Sequence, residues 1–175
     1  MQNQPDDLGS IKGRLKSVLE NLYDRDHVLF ERNKNRALCE RCLVFRFGIY
    51  LQAAYPDYFV DADYNSSSSD GRAIHGKWIE NEDGRTTKSR YVDIIVHRRG
   101  LFQPTDFICF EIKKWTNGNA KEIAKDKQNL KVLTTRYGYK YGFYLTLGRV
   151  FNTTYCDIFG RGGVIIENKV YPSTW

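Results

Sequence analysis

The octapeptide DFICFEIK, Asp106–Lys113, limits the possible folds more than any other stretch of the chain. Its alternation sends Ile108, Phe110 and Ile112 to one side and Cys109, Glu111 and Lys113 to the other, which is the signature of a strand with two unlike faces. Aromatic and β-branched residues support that assignment. A carboxylate and an ammonium on one face of an otherwise apolar strand are costly to desolvate, so something must pair with them or use them. Arg90–His97 (RYVDIIVH) reads as a second strand, with the turn or loop Arg98–Gln103 joining the two into a hairpin. Antiparallel pairing brings Asp93 within reach of Glu111. Two carboxylates held that close repel, and a bound divalent cation is the usual remedy.

Elsewhere the spacing predicts a helix over residues 11–23, with Ser10 as N-cap and Ile11, Leu15, Val18, Leu19 and Leu22 on its apolar face. A longer helix over 35–54 ends before Pro56. Tyr58–Asn65 reads as a strand, and the Ser- and Gly-rich stretch after it as a flexible loop, least ordered over 66–88. A polar helix over Ala120–Thr134 carries a thin stripe of Ile123, Leu130 and Leu133. Strands follow at Tyr139–Leu147, Tyr155–Phe159 and Gly163–Tyr171. This order predicts one α/β domain spanning residues 1–175, a mixed sheet flanked by helices, with a right-handed β-α-β crossover through residues 106–147.

A third acid belongs with the first two. Glu40 lies on the stripe of Leu43, Val44, Phe47 and Leu51, at offsets of three, four, seven and eleven, and so faces inward among apolar neighbours. The alternative is a helix-end residue paired with Arg36 one turn earlier.

The chain's 27 Lys and Arg against 21 Asp and Glu conceal an uneven distribution. Residues 1–84 hold 11 basic and 14 acidic side chains, whereas residues 85–175 hold 16 and 7, so the second half carries the field that attracts polyanions. No run approaches the ~20 apolar residues of a membrane helix, since Arg46 interrupts Cys42–Leu51, and no membrane partner is expected. The polar, acidic start MQNQPDDLGS does not resemble a secretory signal. Four cysteines (Cys39, Cys42, Cys109 and Cys156) without such a signal do not suggest a disulfide framework, and a cytoplasmic location fits.

Asp93 in YVDIIVHRRG, followed 18 positions later by Glu111-Ile112-Lys113 in FICFEIKKW, resembles the D…ExK core of the PD-(D/E)XK nuclease superfamily, with Glu40 similar to its first-helix glutamate. The likeness covers roughly residues 33–147 and extends to small stand-alone bacterial members. Two departures are visible. Val92 stands where the motif has Pro, and Asp63 in DADYN stands where the related small proteins carry Glu; neither position is a metal ligand.

The resemblance implies a restriction-endonuclease-like α-β-β-β-α-β core and an Mg²⁺-dependent endodeoxyribonuclease. In it Asp93, Glu111 and the main-chain carbonyl of Ile112 hold Mg²⁺ or Mn²⁺, Glu40 completes a metal site, and Lys113 orients or deprotonates the attacking water. A purely structural reading makes Glu111 and Lys113 a salt bridge within the sheet.

Arg98, Arg99, Lys114 and Lys121, with Lys125, Lys127 and Lys131, are candidate phosphate contacts on a nucleic acid, DNA before RNA. Gln128 is a further candidate, since nucleases of this superfamily place Gln or Lys on the helix after ExK. Trp115 and the tyrosines of 137–144 are core residues or base-stacking ones. His97 reads as a strand-end histidine, and His27 and His75 lack zinc spacing. Cys39-x-x-Cys42 reads as helix packing. Phosphate-binding glycine loops, G-x-S-x-G and dinucleotide fingerprints are missing. The rival functions are a catalytically silent nucleic-acid-binding or regulatory subunit and a nuclease acting on RNA. Cutting both DNA strands with one small active site would favour a homodimer.

Overall fold

The computed structural model describes residues 7–31, 39–64, 66–67, 75–76, 79–80, 86–87, 92–98, 106–116 and 118–175. Helix α1 (Leu8–Arg25) starts earlier than its apolar spacing suggests, because the Asp7 carboxylate, not Ser10, caps it by accepting the Ser10 N–H at 2.7 Å. Helix α2 spans Glu40–Ala54 and packs Leu43, Phe47 and Leu51 inward. Of the expected start of this helix, residues 35–38, including Arg36, lie outside the described residues, and Cys39, expected within the helix, is its extended N-cap.

Strand β1 (Phe59–Tyr64) is followed by β2 (Ser66–Ser67), β3 (His75–Gly76), β4 (Ile79–Glu80) and β5 (Thr86–Thr87). Within the stretch expected as loop, β2 pairs with β3 and β4 with β5, each in a short antiparallel ladder. Strands β6 (Val92–His97) and β7 (Asp106–Lys114) pair antiparallel, and the turn expected between them, residues 99–105, lies outside the described residues. Helix α3 (Ala120–Arg136), capped by Asn119, leads to β8 (Tyr141–Leu147), β9 (Tyr155–Gly160) and β10 (Ile165–Val170).

The main sheet has six strands in the order β1-β6-β7-β8-β9-β10. In this sheet β7 and β8 alone run parallel, and α3 supplies the crossover a parallel pair needs, so the sheet is mixed and the fold is α/β. Helices cover both faces. Ile94, Ile108, Phe110 and Ile112 pack with α1 and α2, and Phe110 lies between Phe47 at 5.4 Å and Phe143 at 5.2 Å. Ile95, Cys109 and Tyr144 pack with Leu130 and Leu133 of α3 on the other face. Gly142 lets α3 come down on β8, since a Cβ there would lie 3.3 Å from Leu130. Among the described residues no helix is long and apolar enough to cross a membrane.

Candidate functional site

The β6–β7 register fixes the first two acids. Ile95 pairs with Cys109 and Ile94 with Phe110, and carrying the ladder one residue further sets Asp93 opposite Glu111. Opposed residues share a face, so both carboxylates point toward α3. Asp93 Oδ2 accepts the Ile112 backbone N–H at 2.7 Å. Glu111 is 4% exposed and accepts a hydrogen bond from Asn129 Nδ2 on α3 at 3.3 Å.

Lys113, two residues along the same face, lies between two further acids: its Nζ is 3.8 Å from Glu40 Oε1 and 3.3 Å from Asp126 Oδ2. Glu40 comes from the far side of the sheet. The N-terminus of α2 overhangs the end of β7, where Glu40 Oε2 also accepts the Lys114 N–H at 3.3 Å. The stripe that turns Glu40 inward therefore delivers it to the strand end beside Lys113.

Burial dominates the electrostatics. It pushes the Asp93 carboxyl up to about 6, with Glu40 and Asp126 adding to the rise while the Ile112 N–H and Lys113 oppose it. Burial, then the charges of Asp93 and Asp126, hold Glu111 well above the ordinary glutamate range. Burial disfavours the Lys113 ammonium, but the four carboxylates of Asp126, Asp93, Glu40 and Glu111 outweigh it and raise its affinity for a proton. The cluster thus holds more negative charge than its one ammonium neutralises.

Its donors are hard oxygens, the chemistry that suits Mg²⁺ or Mn²⁺. Asp126 Oδ2 is buried with no hydrogen-bond partner; its contact with Lys113 is an ion pair without hydrogen-bond alignment. Such an orphaned oxygen beside uncompensated acids fits a cation-binding site. Among the described residues, however, no three His, Cys, Asp or Glu groups converge into a ready-made cage.

Two site residues escaped the sequence analysis. Asp126 and Asn129 of α3 face the acids, while Gln128 is exposed and turned away from them. The site face of the helix runs through positions 126 and 129, on either side of Gln128. The signal for Asp126 was there: it stands three residues after Ile123 and four before Leu130, on the apolar stripe itself. Tyr144, opposite Glu111 on β8, is buried beside the cluster, with Lys127 Nζ 5.3 Å from its ring centre.

Of the phosphate-contact candidates, Lys121, Lys125 and Lys131 are exposed on α3, Lys114 is half-buried at the end of β7, and Lys127 pairs with Asp157 at 2.5 Å. The Arg98 guanidinium lies 4.9 Å from the Tyr58 ring centre, and Arg99 lies outside the described residues. Tyr139, Phe143 and Tyr144 are core residues. His97 is buried, with Nε2 2.6 Å from Asp61 Oδ2 across the β1–β6 pair. Cys39 and Cys42 are both exposed, which overturns their reading as helix packing.

Comparison with family models, with curated proteins and with solved structures found no match to this chain.

Proposed function

We propose that this chain is a metal-dependent nuclease of the PD-(D/E)XK kind, built on a restriction-endonuclease-like core and hydrolysing phosphodiester bonds of DNA. One observation carries the reading: Asp93 and Glu111 share a buried face beside Lys113, and both carboxyls are lifted first by burial and then by neighbouring acids, Glu40 and Asp126 acting on Asp93, Asp93 and Asp126 on Glu111. A merely structural pair would place one acid against one base. Here Glu40 and Asp126 bring two more carboxylates to a single ammonium.

Asp93, Glu111 and the Ile112 carbonyl would hold Mg²⁺ or Mn²⁺, with Glu40 completing the set. Bound there, the ion polarises the scissile phosphate and offsets charge developing during in-line displacement. Lys113, kept protonated by its acidic neighbours, orients water or a phosphate oxygen by donating hydrogen bonds. Deprotonating water requires part of that negative charge to be neutralised first. The exposed lysines of α3 position the polyanion without reading its sequence.

The silent binding-module reading draws on the Lys113 ion pairs, which tie up the ammonium, and on the missing ready-made cage among the described residues. A cleavage assay separates the two. Plasmid, single-stranded DNA and RNA are incubated with Mg²⁺, Mn²⁺ or EDTA, using the parent chain, Asp93→Ala and Lys113→Ala. Metal-dependent cutting of DNA by the parent alone supports the nuclease. Equal cutting by all three proteins refutes it, DNA binding without cutting supports the binding module, and cutting confined to RNA moves the substrate.

A further inference from the structure

The dipeptide between Cys39 and Cys42 contains Glu40, and the two cysteines occupy special positions. Cys39 is the N-cap of α2, and Cys42 lies three residues into the same turn, where its N–H donates to the Cys39 carbonyl at 3.0 Å. A turn closed in this way keeps the two Cα atoms within about 7 Å, inside the range a disulfide bridges. Both side chains are exposed, whereas Cys109 and Cys156 are buried. The α2 N-terminus has no carboxylate or amide cap, unlike α1, capped by Asp7, and α3, capped by Asn119; its N-cap side chain is the Cys39 thiol, hydrogen-bonded to Cys42. The turn that presents Glu40 is therefore held between N-cap and N3 by a thiol, a weaker acceptor than the oxygens that steady the other two helices.

We propose that Cys39 and Cys42 are a redox-active dithiol that a low-molecular-weight disulfide oxidises to an intramolecular disulfide, stapling the N-cap of α2 to its first turn. The exchange balances. One cysteine sulfur attacks the disulfide and releases one thiol, and the other cysteine then displaces the second thiol from the mixed disulfide. The two cysteines are oxidised and the reagent is reduced to two thiols. The cross-link joins the two positions that a capping side chain would join. Steadier presentation of Glu40 is a consequence that rests on the nuclease reading; the thiol chemistry does not depend on it.

The test uses the full chain equilibrated in glutathione buffers of graded reduced-to-oxidised ratio and trapped with a maleimide. Trypsin cuts after Arg36, Arg41 and Arg46, so the two cysteines fall on separate peptides, Ala37–Arg41 and Cys42–Arg46. The expected result is a joined pair of these peptides, two hydrogens lighter than their sum, appearing at oxidising ratios while Cys109 and Cys156 stay reduced. The oxidised parent is expected to melt about 2–4 °C above the reduced one, the shift of one helix cap in a chain of this size. Cys42→Ala abolishes that difference, and Cys39→Ser in the Cys42→Ala background, which supplies a capping hydroxyl, restores the higher melting point without oxidant. Thiols that stay free at every ratio, links between chains in place of links within one, or equal melting of the two forms would overturn the proposal.

Discussion

The Asp93 carboxylate accepts the backbone N–H of Ile112, the residue between Glu111 and Lys113, at 2.7 Å. This bond ties the acid of one strand to the middle of the triplet on the next. It holds Asp93 where its charge adds to that of Glu111, while the apolar pairs Ile94–Phe110, Ile95–Cys109 and Val96–Ile108 hold the two strands together.

Burial of these carboxyls, with the charges of neighbouring acids adding to it, makes stability fall as pH rises. Asp93 titrates near about 6 when folded against an ordinary 3.8, so between these values the folded state keeps a proton that the unfolded chain has released. Stability contributed by the protonated form is complete below the unfolded value and is lost as pH climbs through the folded one. For Asp93 this amounts to about 3 kcal/mol. Glu111, also raised, adds to the decline. Melting measured in EDTA from about pH 4 to about pH 8 is expected to fall less steeply in Asp93→Asn than in the parent. Parallel curves would show that Asp93 is not held protonated by the fold.

Lys113→Met removes the amine while keeping an apolar stem of similar length. Its kcat on DNA is expected to drop by about 10²–10⁴-fold, the usual contribution of a group that positions or transfers a proton. Without the ammonium, Glu40 and Asp126 lose their shared partner, so the melting point in EDTA falls as well. Unchanged turnover in a folded variant would remove Lys113 from the chemistry.

Asp126→Asn and Gln128→Ala make a matched pair on one helix. The first changes a buried oxygen 3.3 Å from Lys113, and cleavage is expected to fall at least about tenfold. The second alters an exposed side chain turned from the acids, with stability moving less than about 0.5 kcal/mol. A larger loss of cleavage in Gln128→Ala than in Asp126→Asn would reverse the assignment of the α3 face.

Lys121→Ala tests polyanion attraction apart from catalysis. Removing one phosphate contact flattens the slope of log K against log salt by about 0.9 on duplex DNA and weakens binding evenly across sequences. The check is fluorescence anisotropy over a salt series with a catalytically inactive background such as Asp93→Ala. An unaltered slope places Lys121 outside the interface.

The strand pair was readable in the sequence because period-two alternation and burial coincide there: Ile108, Phe110 and Ile112 against Cys109, Glu111 and Lys113. Glu40 was readable for the same kind of reason, an acid on an apolar stripe. Asp126 satisfies that criterion too, yet α3 is so polar that its stripe of Ile123, Leu130 and Leu133 draws attention to the lysines around it. Helix α2 shows the opposite difficulty. It is apolar almost all round, so although the covered stripe of Leu43, Phe47 and Leu51 is readable, the exposure of Cys42, Phe45 and Ile49 is not. The cap of α1 depends on an individual hydrogen bond, and the nearest Ser to the helix start was a poorer guide than the Asp three residues before it.

Calorimetric titration of Mn²⁺ into the chain near pH 6, beside Glu111→Gln and Asp93→Asn, bears most directly on the acids as cation ligands. Saturable binding by the parent is expected, with protons released as the raised carboxyls ionise and affinity lower by about 10-fold or more in each variant. Absence of binding by the folded parent, or equal affinity in all three proteins, would contradict a metal site built on Asp93 and Glu111.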